Sequence, residues 1–224
     1  MILKRIYEKT RNNEIKLSSE ITDFDLLPFY LYKLSSLFRG WLKTGKSKCF
    51  IGKHCSIRVL KKIRFGIFFN LSDNVFLDGL SSNGLTFGNY VSIGKNTRIE
   101  GSGSYSYLGK GFKCGNNCGL GTDCFYGCAG GIEIGNDVIV GNYVSFHSEN
   151  HNYHNANVPI RLQGTNHKGI VIGDDCWIGA KSTILDGAII GKGCIVAAGA
   201  VVTGAFPDYS IIAGVPAKII KKRK

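Results

Sequence analysis

The sequence predicts an all-β solenoid, a parallel β-helix of triangular coils, on three observations. From Ile172 the chain reads "IGDDCW IGAKST ILDGAI IGKGCI VAAGAV VTGAFP", with an aliphatic side chain at 172, 178, 184, 190, 196 and 202. The same six-residue register recurs as "IGNDVI VGNYVS FH" from Ile134, "LGKGFK CGNNCG LGTDCF YG" from Leu108 and "FGNYVS IGKNTR IE" from Phe87; a weaker copy, "IGKHCS IRVLKK IRFG", starts at Ile51. Glycine is abundant, 30 of 224 residues, without the period of collagen, as in a backbone that turns often at regular places.

A period of six is incompatible with a helix face, whose neighbours recur at about 3.6 residues. It fits short strands joined by tight turns, each hexapeptide forming one side of a coil with its aliphatic residue inward. Three sides close a coil of about 18 residues, and stacked coils bury a continuous core. The register covers most of residues 50–206, so we expect the β-helix over 49–206, a cap over 1–48 and a short C-terminal helix or tail over 207–224.

The first 48 residues contain "DLLPFYLYKLSSLFRGWL", the most apolar stretch, which Lys33 and Arg39 interrupt. It is short of a bilayer span and reads as a capping or interfacial helix. Such a cap would cover the open end of the β-helix, where unpaired strand edges invite aggregation. Its apolar and basic mix also permits peripheral contact with an anionic membrane face.

Residues Met1 to Arg11 are charged and lack the apolar core of a secretory signal, so a cytoplasmic location with reduced thiols is expected. Of the eight cysteines, Cys55, Cys118, Cys124, Cys176 and Cys194 fall on the small fifth position of a hexapeptide and Cys114 on the first. That placement marks small buried side chains rather than metal ligands. The net charge of +12 favours polyanionic partners such as a phosphorylated cofactor. No nucleic-acid-binding signature is present, and the basic residues lie mainly at the ends.

Residues 148–169 break the register, and an excursion of that length within a repeat fold usually builds a binding face. At its start, "FHSENHNYHN" packs His147, His151 and His154 into eight residues of a chain with five histidines. The cluster is open to three readings: a metal site, a catalytic base with neighbours, or polar loop filler. Tyr153 and His167 lie on the same excursion.

The repeats, this histidine loop and the segment "IGDDCWIGAKSTILDGAIIGKGCIVAAGAVVTGAFPDYSIIAGVPAKII" resemble the hexapeptide-repeat, left-handed β-helix acyltransferases. The likeness is to the galactoside/maltose acetyltransferase branch and to bacterial surface-polysaccharide O-acetyltransferases, over about residues 85–221. It implies a left-handed coil, acetyl-CoA as donor, a homotrimer with active sites between subunits, and a saccharide acceptor. The family's catalytic histidine falls on His151, in "SENH" after "IGNDVIVGNYVSF".

Histidine suits that task because its ordinary pKa of about 6.5 lets it take the proton of a sugar hydroxyl attacking a thioester. Glu149 is a candidate to orient the imidazole or to stabilise its charged form. For the donor, the resemblance points to Trp177 and Ala180 in "WIGA", Ala198 and Thr203 in "AAGAVVT", and Lys218 and Lys221 in the tail; the lysine that often follows that threonine is here Gly204. Asp123 falls where relatives place an acceptor-binding residue, and is otherwise an ordinary turn aspartate. His147, Tyr153 and His154 are further candidates for acceptor contact.

Two other activities compete. An amino sugar or nucleotide-linked amino sugar would make the reaction N-acetylation. The γ-class carbonic anhydrases share the fold and hold zinc with histidines from adjacent subunits. The spacing of His147, His151 and His154 departs from the H-x4-H of that class, and no metal is expected.

Overall fold

The computed structural model describes residues 2–5, 17–102, 105 and 107–223. It divides into two compact units, residues 1–50 and 51–224. In the first, the apolar stretch is a helix over Asp23–Thr44, opened by a capping box and closed by left-handed Gly45. The Thr22 hydroxyl accepts from the Asp25 amide, and the Asp25 carboxylate accepts from the Thr22 amide at 2.8 Å. This satisfies two of the amides that a helix start leaves bare. Leu26, Ser36 and Gly40 are its buried side, while Phe24, Leu31, Leu34, Phe38 and Leu42 are exposed. None of the described helices is long and apolar enough to cross a membrane.

The second unit is the expected left-handed parallel β-helix. One face stacks, in order, Phe69–Leu71, Ser92–Ile93, Gly119–Leu120, Ile139–Val140, Trp177–Ile178, Ile195–Val196 and Ser210–Gly214. The second stacks Ser56–Arg58, Phe76–Asp78, Arg98–Glu100, Phe125–Gly127, Ser145–His147, Thr183–Leu185 and Val201–Val202. The third runs from Ile63–Arg64 through Leu85–Phe87, Phe112–Cys114, Ile132–Ile134, Ile170–Ile172 and Ile189–Ile190 to Ala205–Phe206. The first hexapeptide position points inward, and Ile93, Ile99, Phe146, Ile178, Ile184, Val196 and Val202 are all fully buried.

Two of the three edges are uniform. Each steps six residues from inward side chain to inward side chain, as from Ile172 to Ile178 and from Ile178 to Ile184. The corner residue at the fourth position is left-handed, at Asn74, Asn96, Asp137 and Asp175 but also at Tyr90, Tyr143 and Lys181. A non-glycine residue there costs about 1–2 kcal/mol. Ladders of side chains running up these edges offset it. At the third position, Asn116 accepts from the Asn89 amide at 2.8 Å, Asn136 from Asn116 at 2.9 Å and Asp174 from Asn136 at 2.6 Å. The glycine at the second position is obligatory where coils touch: a Cβ on Gly121 would lie 2.1 Å from the Gly141 carbonyl oxygen.

All eight cysteines are buried and unpaired by disulfides. Those at the fifth position are also donors. Cys118, Cys124 and Cys176 point their thiols at the carbonyl oxygens of Gly135, Gly141 and Gly191 in the next coil, at 3.2, 3.2 and 3.1 Å. Burial pushes the Cys176 thiol up to about 11, so it stays protonated and donating.

The third edge, from the second face to the third, takes every surplus residue. The regular step of six is met from Ile184 to Ile190, whereas Ile99 to Cys114 takes 15 residues and Phe146 to Ile172 takes 26. The register predicted from Leu108 is therefore corrected. Leu108 is 44% exposed on the edge, and the strand begins at Phe112. The last segment also differs from the expected helix or tail. Ala217–Lys222 is a strand antiparallel to Ser210–Gly214, and it ends the first face with Lys218, Lys221 and Lys222 on the outermost strand. Lysines on an edge strand discourage further pairing.

Tyr126 is fully buried, and its hydroxyl has no hydrogen-bond partner among the described residues beyond the weakly accepting sulfur of Cys124 beside it. A poorly paired buried hydroxyl costs about 1–3 kcal/mol. Tyr126→Phe should leave stability unchanged or raise it by about 1 kcal/mol in urea unfolding; a loss of that size would show that the hydroxyl has a partner.

Candidate active site

The excursion is built as a hairpin standing on the variable edge. Its first residue, Ser148, is buried; its hydroxyl donates to the Gly127 carbonyl at 2.7 Å and accepts from the Gly130 amide at 3.0 Å. Asn150–His151 then pairs antiparallel with Thr165–Asn166, and the Asn152 amide donates to the Gly164 carbonyl at 3.0 Å. At the exit, the Asp186 carboxylate accepts from the amides of Lys168 and Gly169 at 2.9 and 2.8 Å, and from the Asn150 side chain at 3.2 Å. The stem is thus tied to the coil at both ends, and its tip carries the turn Ile160–Leu162.

His151 sits on this stem, exposed, with no hydrogen bond to its imidazole among the described residues. Glu149 does not orient it. The Glu149 carboxylate meets His167 instead, at 2.9 Å from Nε2, and the Thr165 hydroxyl lies 3.3 Å from the same nitrogen. The geometric reason is the hairpin: pairing of Asn150 with Asn166 and of His151 with Thr165 sets residue 167 directly across the stem from residue 149, so the carboxylate meets its cross-strand neighbour.

The other expected residues separate. His147 projects outward from the second face, exposed, with its ring centre 5.5 Å from that of Phe125, and partial desolvation there holds its pKa below the usual histidine range. Tyr153 and His154 lie against each other at 4.9 Å on the exposed arm. Asp123 occupies a left-handed corner on the edge between the first and second faces, where it accepts from the Asn96 side chain at 2.8 Å. Its carboxylate is engaged in a corner ladder rather than directed at the histidine loop.

Of the donor candidates, Trp177 is exposed on the first face, and Ala180 and Ala198 stack in adjacent coils on the same edge as Asp123, joined by the Gly199 amide donating to the Ala180 carbonyl at 2.9 Å. Lys218 and Lys221 lie on the closing strand of the first face. Thr203 is on the variable edge. His151 and the Ala180–Ala198 edge are therefore on different edges of one chain, with the second face between them.

Two residues at the site carry no sequence signal: Asp186 looks like a turn aspartate, and Tyr107 stacks on His167 at 4.6 Å from another excursion. His167 is marked in the sequence only by its place on the excursion, and it acquires its partner through the hairpin. At the foot of the excursion, Lys110, Lys113 and Lys168 with Glu133 line a groove of about 270 Å³ on the third face. Among the described residues, no three His, Cys, Asp or Glu side chains form a metal-holding group.

The lowered pKa of His147 fixes the sign of a pH effect. The folded chain disfavours its charged form, so this stability is complete above about pH 6.5 and is lost as pH falls through the folded value. The melting temperature of His147→Asn should fall less than that of the native chain between pH 7 and pH 5. An equal or larger fall would contradict this desolvation.

Residues 169–204 match the bacterial transferase hexapeptide family, six repeats. The chain is 38% identical over 141 residues to acetyltransferase Rv3034c of Mycobacterium tuberculosis, covering 62% of this chain and 45% of that one. It is 38% identical over 98 residues to the lipopolysaccharide-biosynthesis O-acetyl transferase WbbJ of Escherichia coli K12, covering 41% and 50%. The chain thus spans about half the length of these curated relatives. Its fold is shared with a point mutant of AntD, an N-acyltransferase of Bacillus cereus solved with dTDP and coenzyme A, at a TM-score of 0.53 and 21% identity, covering 69% of this chain and 84% of that one. By its repeat, its coil and these matches, the chain is similar to the hexapeptide-repeat transferases, whose repeat residues 169–204 carry.

Proposed function

We propose that the chain transfers an acetyl group from acetyl-CoA to a saccharide hydroxyl in bacterial surface-polysaccharide assembly, with His151 as general base. The likeness to the two acetyltransferases supports the reaction, and that to WbbJ supports the acceptor. The observation that carries the reading is an accessible imidazole on an anchored stem, on the one edge where the coil departs from its period.

His151 takes the hydroxyl proton as the oxygen attacks the thioester carbonyl. The tetrahedral adduct expels the sulfur of coenzyme A, and the imidazolium returns the proton to it. The products are the acetyl ester and the free thiol, with the base restored. No nucleophilic side chain is needed, since the thioester is already activated.

Within one chain, His151 lies on a different edge from Ala180 and Ala198, which supports a site shared by adjacent copies of a homotrimer. Exposed Ile139 and Trp177, neighbours on the first face, give such copies an apolar surface. In this arrangement Trp177, Ala180, Ala198 and Thr203 flank the pantetheine, and Lys218 and Lys221 meet the phosphates of coenzyme A. Asp123, His147, Tyr153 and His154 are left to the acceptor. The exposed apolar side of the helix Asp23–Thr44 favours peripheral membrane attachment, where lipid-linked glycans are built. Light scattering reads the assembly, and co-sedimentation with anionic vesicles, with and without residues 1–42, reads the attachment.

Acetyl-CoA turnover against a panel of hexoses and amino sugars tests the reaction, and acetylation at nitrogen rather than oxygen would move the acceptor to an amine. His151→Ala should lower kcat on the order of 10²-fold or more. A near-native rate in that variant, with His167→Ala inactive, would transfer the role of base to His167.

A further inference from the structure

The mechanism above leaves one buried imidazole unused. The His167 side chain is 9% exposed and hydrogen-bonded to Glu149, which is 34% exposed. Its ring is stacked on Tyr107 at 4.6 Å with an interplanar angle of 6°. The three come from separate places. Glu149 enters the hairpin, His167 leaves it, and Tyr107 belongs to the other long excursion of the same edge. Around them, the Thr165 hydroxyl reaches the same imidazole nitrogen, and the Asp186 carboxylate is occupied by the Lys168 and Gly169 amides next in the chain. A Cβ on Gly130 would lie 3.1 Å from the His167 Cβ, so a glycine leaves the room in which the imidazole is seated.

We propose that His167, clamped between Glu149 and Tyr107, is the positioning residue of the active site, holding closed the stem that carries His151. The stem has two paired residues on each strand, Asn150 with Asn166 and His151 with Thr165. A two-stranded hairpin is at best marginal in water on its own, and an interruption this long within a coil has a large entropy to suppress. The side-chain bond from 149 to 167 adds a cross-link at the base of the stem, one residue below the last backbone pair. Tyr107 makes the clamp depend on the neighbouring excursion, so the two departures from the coil order each other. A base must stand within hydrogen-bond reach of the proton it takes, and misplacement by about 1 Å costs on the order of 10²-fold in rate.

The inference rests on the proposed acetyl transfer for its kinetic half only. Hydrogen exchange at the Asn152 amide, which the stem donates to Gly164, reads the clamp with no substrate present. His167→Ala and Tyr107→Ala should each exchange there at least about tenfold faster than the native chain, with the amides of the coil, such as Ile178, unchanged. Tyr107→Phe keeps the ring and should restore native exchange. In turnover, His167→Ala should lower kcat about tenfold or more while the KM for acetyl-CoA moves less than about twofold. Native exchange at Asn152 in both alanine variants overturns the clamp, even if activity falls. Faster exchange with unchanged kcat overturns the positioning role, even though the clamp exists. A His151→Ala variant that keeps its rate while exchange still responds to His167→Ala rejects the assignment of the base and leaves the clamp standing.

Discussion

Everything in the β-helix depends on the hydrogen bonds that stack one coil directly on the next. Parallel strands about 4.8 Å apart must keep their residues in register, so an inserted residue on any face would carry its neighbours to the wrong side. Two edges hold to six residues without exception between the ordered coils, because their corners are used: glycines against the carbonyls of the next coil, asparagine ladders, and thiols donating across the gap. Only the edge between the second and third faces is free to lengthen. It does so by 9 residues between Ile99 and Cys114 (15 less 6) and by 20 between Phe146 and Ile172 (26 less 6). Chemistry that needs irregular backbone has no other place on the coil to arise.

That constraint also sorts the functional residues. The variable edge receives His151, Glu149, His167 and Tyr107, and the uniform edge between the first and second faces receives Ala180, Ala198 and Asp123. A rigid coil cannot bend one edge toward another, since its core is closely packed throughout its length. Residues on the two edges meet only if a second copy presents its own coil to the first. The architecture that makes the scaffold stiff is therefore also what favours a shared site.

Much of the coil was legible in the sequence because its cause is local and periodic. An inward Ile or Val every six residues, a glycine behind it and a small side chain at the fifth position each answer to a contact in the adjacent coil, so the pattern repeats. The misreading at Leu108 has the opposite origin: "LGKGFK" imitates a hexapeptide by composition, but lies on the lengthened edge where no stacking enforces the period. The fifth-position cysteines were legible as small and buried, while their donation to the next coil depends on the stacking distance. The C-terminal strand was missed because its pairing is antiparallel and lies outside the repeat.

The site was legible only in outline. The break in period marks the excursion, and "SENH" marks a histidine at its root, but the partner of Glu149 is 18 residues away and is decided by the hairpin fold. The excursion is carried by the coil and does not support it. Phe146 to Ile184 spans 38 residues where a regular coil spans 18, as from Ile178 to Val196, so removing residues 149–168 leaves a complete coil (38 less 20). The most direct measurement is cooperative thermal unfolding of that shortened chain beside its acetyl-CoA turnover. The expected result is a folded coil with a melting temperature within a few degrees of native and no acetyl transfer. Loss of the folded coil, or turnover retained without the excursion, would contradict it.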